Sequence, residues 1–200
     1  MKTVAALLFL TTVALAQEVV SLDEAQRGAR KVTDTLGNLQ NPPISTDVDI
    51  TKPQAIKAGK AGLLIIPDKK LTLENLDSSG SSVTPVGQLW TLNISLGRNG
   101  EPAPNDQIRF LSVSDGDRDL QVQLYLIGAA KKASGELELV IFAKDKEPFL
   151  RVPLIKANAA ATQDFPVELT GRKDDDNTGT LSLRVLGQYA ADLTVKRPAE

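Results

Sequence analysis

The chain has no cysteine and no histidine. Without thiolates or imidazoles it cannot form a disulfide, nor a serine or cysteine hydrolase that relies on a histidine base. Thiolate- or imidazole-ligated zinc, copper and haem centres are excluded for the same reason. Aromatic residues are scarce, with one Trp, two Tyr and five Phe, so the core must be built from Leu, Val, Ile and Ala. Neither sign of charge prevails: 23 basic residues face 25 acidic ones for a net charge of −2. That balance gives no electrostatic case for nucleic acid or an anionic membrane as partner. Three nucleophile and phosphate motifs are also missing. There is no G-x-x-x-x-G-K-[ST], no G-x-G-x-x-G opening a βαβ unit, and no serine three residues ahead of a lysine.

What the chain does have begins at its start. Met1-Lys2 precedes an apolar run from Val4 to Leu10, and Val13-Ala14-Leu15-Ala16 leads into polar Gln17-Glu18. A charged n-region, an h-region and an A-x-A site together predict a secretory signal peptide over residues 1–16, cut after Ala16. The apolar stretch Val4 to Ala16 falls short of the roughly 20 residues needed to span a bilayer. No cysteine follows for lipidation and no apolar tail ends the chain, so no membrane anchor is expected after cleavage. The expected destination is the periplasm or the medium, and export without cysteine points to a bacterial envelope.

Residues 17–60 read as a helix followed by an extended segment. Ser21 and Glu24 form a capping box, and Leu22, Ala25, Ala29, Val32 and Leu36 recur at helical spacing before Gly37. This predicts a helix over 22–36, either packed loosely on the domain or serving as an amphipathic partner-binding segment. Asn41-Pro42-Pro43 then blocks regular structure, and the chain to Lys60 looks extended.

Residues 61–197 change to period two. Ala61 to Ile66 reads as a buried strand stopped at Pro67-Asp68, and Leu71 to Leu76 is either a strand or one helical turn. Trp90, Leu92, Ile94 and Leu96 alternate with mostly polar neighbours, and Gly97 to Gly100 turns the chain before a strand over 108–114. Leu120, Val122, Leu124 and Leu126 face away from Gln121, Gln123 and Tyr125. They are joined by a turn over 131–135 to Leu137, Leu139 and Ile141, which predicts a hairpin. Pro148 and Pro153 make 149–154 an edge strand. Three further alternating runs, around Val167, Leu183 and Leu193, complete the pattern. The fold predicted is mainly β: an antiparallel β-sandwich, immunoglobulin-like or jelly-roll-like, of about eight strands.

Two acidic loops carry oxygen donors suited to calcium. Asp115, Asp117 and Asp119 alternate, but Leu120 stands where a calcium loop needs glycine and Leu126 where it needs a bidentate glutamate. Asp174, Asp175 and Asp176 crowd the second loop. The simpler expectation for both is a polar hairpin turn, so calcium is the one cofactor that remains open. Asn93-Ile94-Ser95 is a glycosylation sequon on the polar side of its strand, and Trp90 shares a face with core residues. The function expected is a non-catalytic, exported binding or structural module whose partner is a protein or an envelope polysaccharide. Carbohydrate recognition through exposed Trp90, Tyr125 and Tyr189 is an alternative, as is glycoside hydrolysis by a carboxylate pair. A third is an adaptor that engages its partner through residues 17–60.

Overall fold

Strands that alternate apolar and polar residues must bury one face, and strands apolar on both faces must be covered twice. Both kinds occur here. A computed structural model describes residues 17–37, 39–78, 82–116, 118–157 and 163–197. The predicted signal segment, residues 1–16, and Asp117 lie outside the described residues. The elements in chain order are β1 (Glu18–Val19), α1 (Leu22–Leu36), β2 (Gln54–Ala58), β3 (Ala61–Pro67), α2 (Leu73–Ser78), β4 (Thr84–Leu92), β5 (Ser95–Arg98) and β6 (Glu101–Pro102). A 3-10 turn at Asn105–Gln107 precedes β7 (Arg109–Asp115), β8 (Arg118–Lys131), β9 (Leu137–Phe142), β10 (Leu150–Pro153) and β11 (Ile155–Lys156). The chain closes with β12 (Val167–Lys173), β13 (Thr178–Val185) and β14 (Tyr189–Lys196).

The strands form the expected antiparallel sandwich, from two sheets. An 8-stranded sheet runs β1-β2-β3-β4-β8-β9-β10 with β7 added on β8, and a 6-stranded sheet runs β12-β13-β14-β5-β6 with β11 added on β14. The strand count therefore exceeds the predicted eight, because short edge pieces too brief to show a period join both sheets. Long β8 organises the first sheet. One edge pairs with β4, while the other takes β7 along its first half and β9 along its second.

Side-chain alternation along β8 separates two cores. Tyr125, Ile127 and Ala129 point at the second sheet, where they meet residues such as Leu169, Leu183 and Leu193. Val122, Leu124 and Leu126 point the other way, beneath Ala29 and Val32 of α1 and the segment containing Leu39, Ile44, Val48 and Ile50. The first sheet is thus buried on both faces, and the second keeps a polar outer face. Tyr125, expected on a polar face opposite Leu124, is a core residue. Its hydroxyl donates to Gln123 Oε1 at 2.8 Å, and Gln123 Nε2 donates to Ser95 Oγ at 2.8 Å. Burial pushes the Tyr125 hydroxyl far above the usual tyrosine range.

Helix α1 has the bounds its spacing predicts. Ser21 Oγ accepts from the Glu24 amide, and the Gly37 amide donates to Thr33 O. Ala25 and Ala29 are small enough for the helix to lie close on the sheet, and Val32 adds a buried branched side chain worth roughly 1.5–3 kcal/mol. The extended segment after α1 is tied down by buried Asp68, whose Oδ2 accepts from the Asp47 amide at 2.7 Å and whose Oδ1 accepts from the Lys70 amide at 2.9 Å. Gln88 adds a second tie, donating to Thr46 Oγ1 at 2.9 Å while accepting from Trp90 Nε1 at 3.3 Å. Residues 54–58 are a full strand of the first sheet, paired with β3 along its length.

The single strand expected over Trp90 to Leu96 is instead two. The chain breaks at Asn93, whose φ of 55° no strand residue adopts, and passes from the first sheet at β4 to the second at β5. Asn93 Nδ2 anchors the bend by donating to Lys60 O at 2.8 Å, and Thr91 Oγ1 donates to Ile94 O at 2.7 Å. Asn93 of the sequon therefore sits at an exposed bend between sheets, while Ser95 is buried in β5. The ambiguous stretch near Leu76 is the short helix α2, with Leu76 buried. The hairpin β8–β9 closes as expected, the Lys132 amide donating to Glu136 O and the Gly135 amide to Lys132 O. Edge strand β10 is held by an ion pair of Arg151 with buried Glu138. Among the described residues no helix is long and apolar enough to cross a membrane.

Candidate functional site

Where β2 of the first sheet approaches β12 of the second, no backbone ladder joins them. Two glutamine side chains span the seam. Gln54 Oε1 accepts from the Leu169 amide and Gln17 Oε1 from the Gly171 amide. Leu169 and Gly171 are two residues apart, so their amides point out of the same edge of β12. The two carboxamide oxygens stand where the carbonyls of a neighbouring strand would be, which caps an edge that would otherwise offer itself for pairing. Gln17 is placed by β1, which pairs Glu18 with Lys57 and Val19 with Ile56 on β2. A Cβ at Gly171 would lie 3.1 Å from Gln17 Oε1, so any larger residue there would press on the carboxamide that meets the Gly171 amide.

Beside this seam the two sheets leave a cleft of about 150 Å³. Ile56, Leu63, Ile94 and Val195 give it an aliphatic lining, and the β12–β13 turn forms part of its rim. That turn contains Asp174, Asp175 and Asp176, and its carboxylates are engaged within the loop. Asp174 accepts from Arg172 Nε at 2.9 Å and from Thr180 Oγ1 at 2.7 Å. Asp175 Oδ1 accepts from the amides of Asn177 at 2.8 Å and Thr178 at 2.7 Å, and Asp176 Oδ1 accepts from Lys173 Nζ at 2.7 Å. All three are held below the usual carboxylate range. The causes are the Thr180 hydroxyl and then Arg172 for Asp174, the Asn177 and Thr178 amides for Asp175, and the Lys173 ammonium for Asp176. The turn is therefore a self-satisfied hairpin connection, each aspartate stabilising backbone or neighbouring cations.

The other acidic loop lies elsewhere, in the β7–β8 turn. Asp115 is paired with Lys31 Nζ of α1 at 2.5 Å and is held below the carboxylate range by that contact, while Asp119 sits in the β8 ladder opposite Ser114. Asp115 lines a second cleft, between α1 and the first sheet, so the two acidic loops do not share a site. Among the described residues no three carboxylates converge on a metal-sized position. The aromatic residues on which carbohydrate stacking would rely are covered: Trp90 is 2%, Tyr125 0% and Tyr189 9% exposed. Tyr189 uses its hydroxyl to donate to Asp77 Oδ1 at 3.0 Å.

Sequence reasoning located the 174–176 turn but not the cleft it borders. Gln17 and Gln54 have no local signature, because their roles come from partners far away in the chain. The bend at Asn93 did leave a trace, since asparagine in mid-strand is unfavourable and tolerates positive φ. No protein-family model, curated protein or solved structure matches this chain.

Proposed function

We propose that this protein is an exported, non-catalytic β-sandwich that acts in the cell envelope or extracellular space as a binding module, with the inter-sheet cleft as its recognition site and a protein as its partner. The observation that carries this reading is the cleft itself: aliphatic walls between the sheets, rimmed by charged groups on a rigid hairpin turn. A small pocket of this kind suits an anchoring side chain from a partner, the usual centre of a protein interface. A general acid for glycoside hydrolysis needs a carboxyl raised in pKa, whereas the carboxyls of Asp175 and Asp176 at this cleft are lowered. With the three expected platform aromatics buried, stacking of sugars has no support at this cleft. The signal-peptide pattern of residues 1–16 supports export and a mature start at Gln17.

The absence of cysteine makes a direct test simple. Asn177→Cys, on the cleft rim, and Thr170→Cys, on the outer edge-strand surface, each create a unique thiol for a photo-crosslinker. In the native envelope the Asn177→Cys probe should capture one dominant protein, competed by unlabelled protein, and the Thr170→Cys probe should not. Equal capture at both positions, or none at the cleft, would remove the cleft as the recognition site. N-terminal sequencing of the exported form should begin at Gln17.

A further inference from the structure

We infer that β7 pairs with β7 of a second copy of this chain, antiparallel about a two-fold axis at Ser112, so that the first sheets of two molecules become continuous. The strand shares no residue with the inter-sheet cleft, so the pairing stands or falls independently of the cleft's role. The other edge strands are blunted. β1, β6 and β11 are two residues long, β10 contains Pro153, and β12 meets the glutamine oxygens of the seam. β7 has seven residues and pairs on one side only, with β8. Among the described residues nothing outside β8 hydrogen-bonds to Phe110, Ser112 or Ser114, and all three are exposed.

The hairpin register shows which backbone groups point outward. Asp115 and Arg118 close a two-residue connection, and the closing pair of such a hairpin exchanges both of its hydrogen bonds. Hydrogen-bonded pairs then recur at Val113, Leu111 and Arg109, so the amides and carbonyls of Phe110, Ser112 and Ser114 face the open side. Laid antiparallel on itself, β7 is self-complementary. Centred on Ser112, Arg109 meets Asp115 of the second copy, Phe110 meets its Ser114 and Leu111 its Val113. The outward residues of both copies then form the hydrogen-bonded pairs, and each unlike contact occurs twice by symmetry. Leu111 and Val113 belong to the apolar layer beneath α1, which the join would extend, and Phe110, 41% exposed, would gain a strand across from it.

Charge selects both the register and the occupant. Arg109 makes no ion pair among the described residues; Nη2 donates to Lys144 O at 3.0 Å, while its buried Nε has no partner. The turn at the other end of β7 is acidic, since Asp115, Asp117 and Asp119 outnumber Arg118 and the Lys31 that α1 brings. Asp115 is exposed and meets Lys31 through Oδ1 alone, which leaves its other oxygen for a second cation. A slip by two residues would set Arg109 opposite Val113 or beyond the end of the strand and would lose paired positions. A second copy supplies the acidic end that Arg109 lacks in its own chain.

The test uses the mature protein, in which any introduced cysteine is unique. Sedimentation from micromolar to millimolar concentration should show a monomer giving way to a dimer. Under mild oxidation Ser112→Cys should form a disulfide-linked dimer, because a hydrogen-bonded antiparallel pair holds its Cα atoms about 5.5 Å apart, within the range a disulfide spans. Ser114→Cys, equally exposed, should not, since the two copies of that residue would lie more than about 13 Å apart. Ser112→Pro removes an outward amide that the β8 ladder does not use, and should raise the dimer dissociation constant about tenfold or more with the urea midpoint little changed. A protein that stays monomeric throughout overturns the pairing. So does a dimer that survives Ser112→Pro, or one in which Cys at 114 crosslinks as readily as Cys at 112; that contrast holds even if the proline variant does not fold. If the protein stays monomeric while a synthetic peptide of residues 109–115 shifts the amide resonances of Phe110, Ser112 and Ser114, the edge takes a foreign strand and the second copy is overturned as its occupant.

Discussion

Replacing Gln54 by alanine would remove the oxygen that accepts from the Leu169 amide across the seam. Leu169 is fully buried, so its amide would be left without a partner in the interior, at a cost of about 1–3 kcal/mol. Gln54 is itself only half-buried, and its lost methylene adds less than about 1 kcal/mol. The expected loss is therefore about 1–4 kcal/mol, or roughly 2–16 °C in melting temperature for a domain of this size. Gln54→Glu keeps an acceptor oxygen in place and should lose much less. Urea unfolding followed by the fluorescence of Trp90, the single tryptophan and a buried one, measures the difference. Amide hydrogen exchange makes it local: Gln54→Ala should speed exchange at Leu169, and Gln17→Ala should do so at Gly171. A loss below about 0.5 kcal/mol with unchanged exchange at Leu169 would refute the idea that these carboxamides close the seam, because an orphaned buried amide cannot be that cheap.

Three further outcomes follow from the same geometry. Gly87 sits at a β-bulge with φ 154°, and a Cβ there would lie 2.3 Å from the backbone oxygen of Ile66, so Gly87→Ala should destabilise by about 3 kcal/mol or more in urea unfolding; a change under about 1 kcal/mol contradicts this. The carboxyls of Asp174, Asp175 and Asp176 have folded-state pKa values below the unfolded value of about 3.9, so the turn's stabilisation is complete above about pH 4 and is lost as pH falls through the lower folded values. The Asn177 and Thr178 amide resonances should stay constant from neutral pH to about pH 4 and move only below it, and movement between about pH 5 and 7 would show the hydrogen bonds to Asp175 to be absent. Since these carboxylates are engaged by protein donors, millimolar calcium or a chelator should leave the melting temperature unchanged, and an increase with calcium would restore the acidic turns as metal sites.

The parts of the fold legible in the sequence are those whose cause lies within a few residues. Ser21, Glu24 and Gly37 mark both ends of α1 because caps act on the adjacent turn. The two-residue period of 120–126 and 137–141 announces the β8–β9 hairpin because partner strands are consecutive. Alternation also separated the faces of β8, and Gln121 is exposed as a polar face predicts, but Gln123 and Tyr125 on the same face are buried. Polar residues there are compatible with burial once Gln123, Ser95 and the Tyr125 hydroxyl satisfy one another, and that requires β5 to be brought across from the other sheet. The same limit applies to the site. The aspartates of the 174–176 turn were visible as a cluster, while the distinction between metal ligands and turn-forming acceptors depended on which amides and cations surround each oxygen.

Composition and local pattern by themselves determined the aliphatic core, the excluded chemistries, the capped helix and the antiparallel strands, since each follows from residue type or from spacing along a few consecutive positions. Tertiary structure alone decided that the first sheet is covered on both faces, that the chain changes sheets at Asn93, and that Gln17 meets Gly171, 154 residues away. Contacts at that separation leave no period in the sequence, because nothing in a glutamine's neighbours records which distant amide it will face. The cleft exists only where the two sheets part, and the pairing of its rim charges, Lys57 with Glu18, Arg172 with Asp174 and Lys173 with Asp176, is likewise set by the fold.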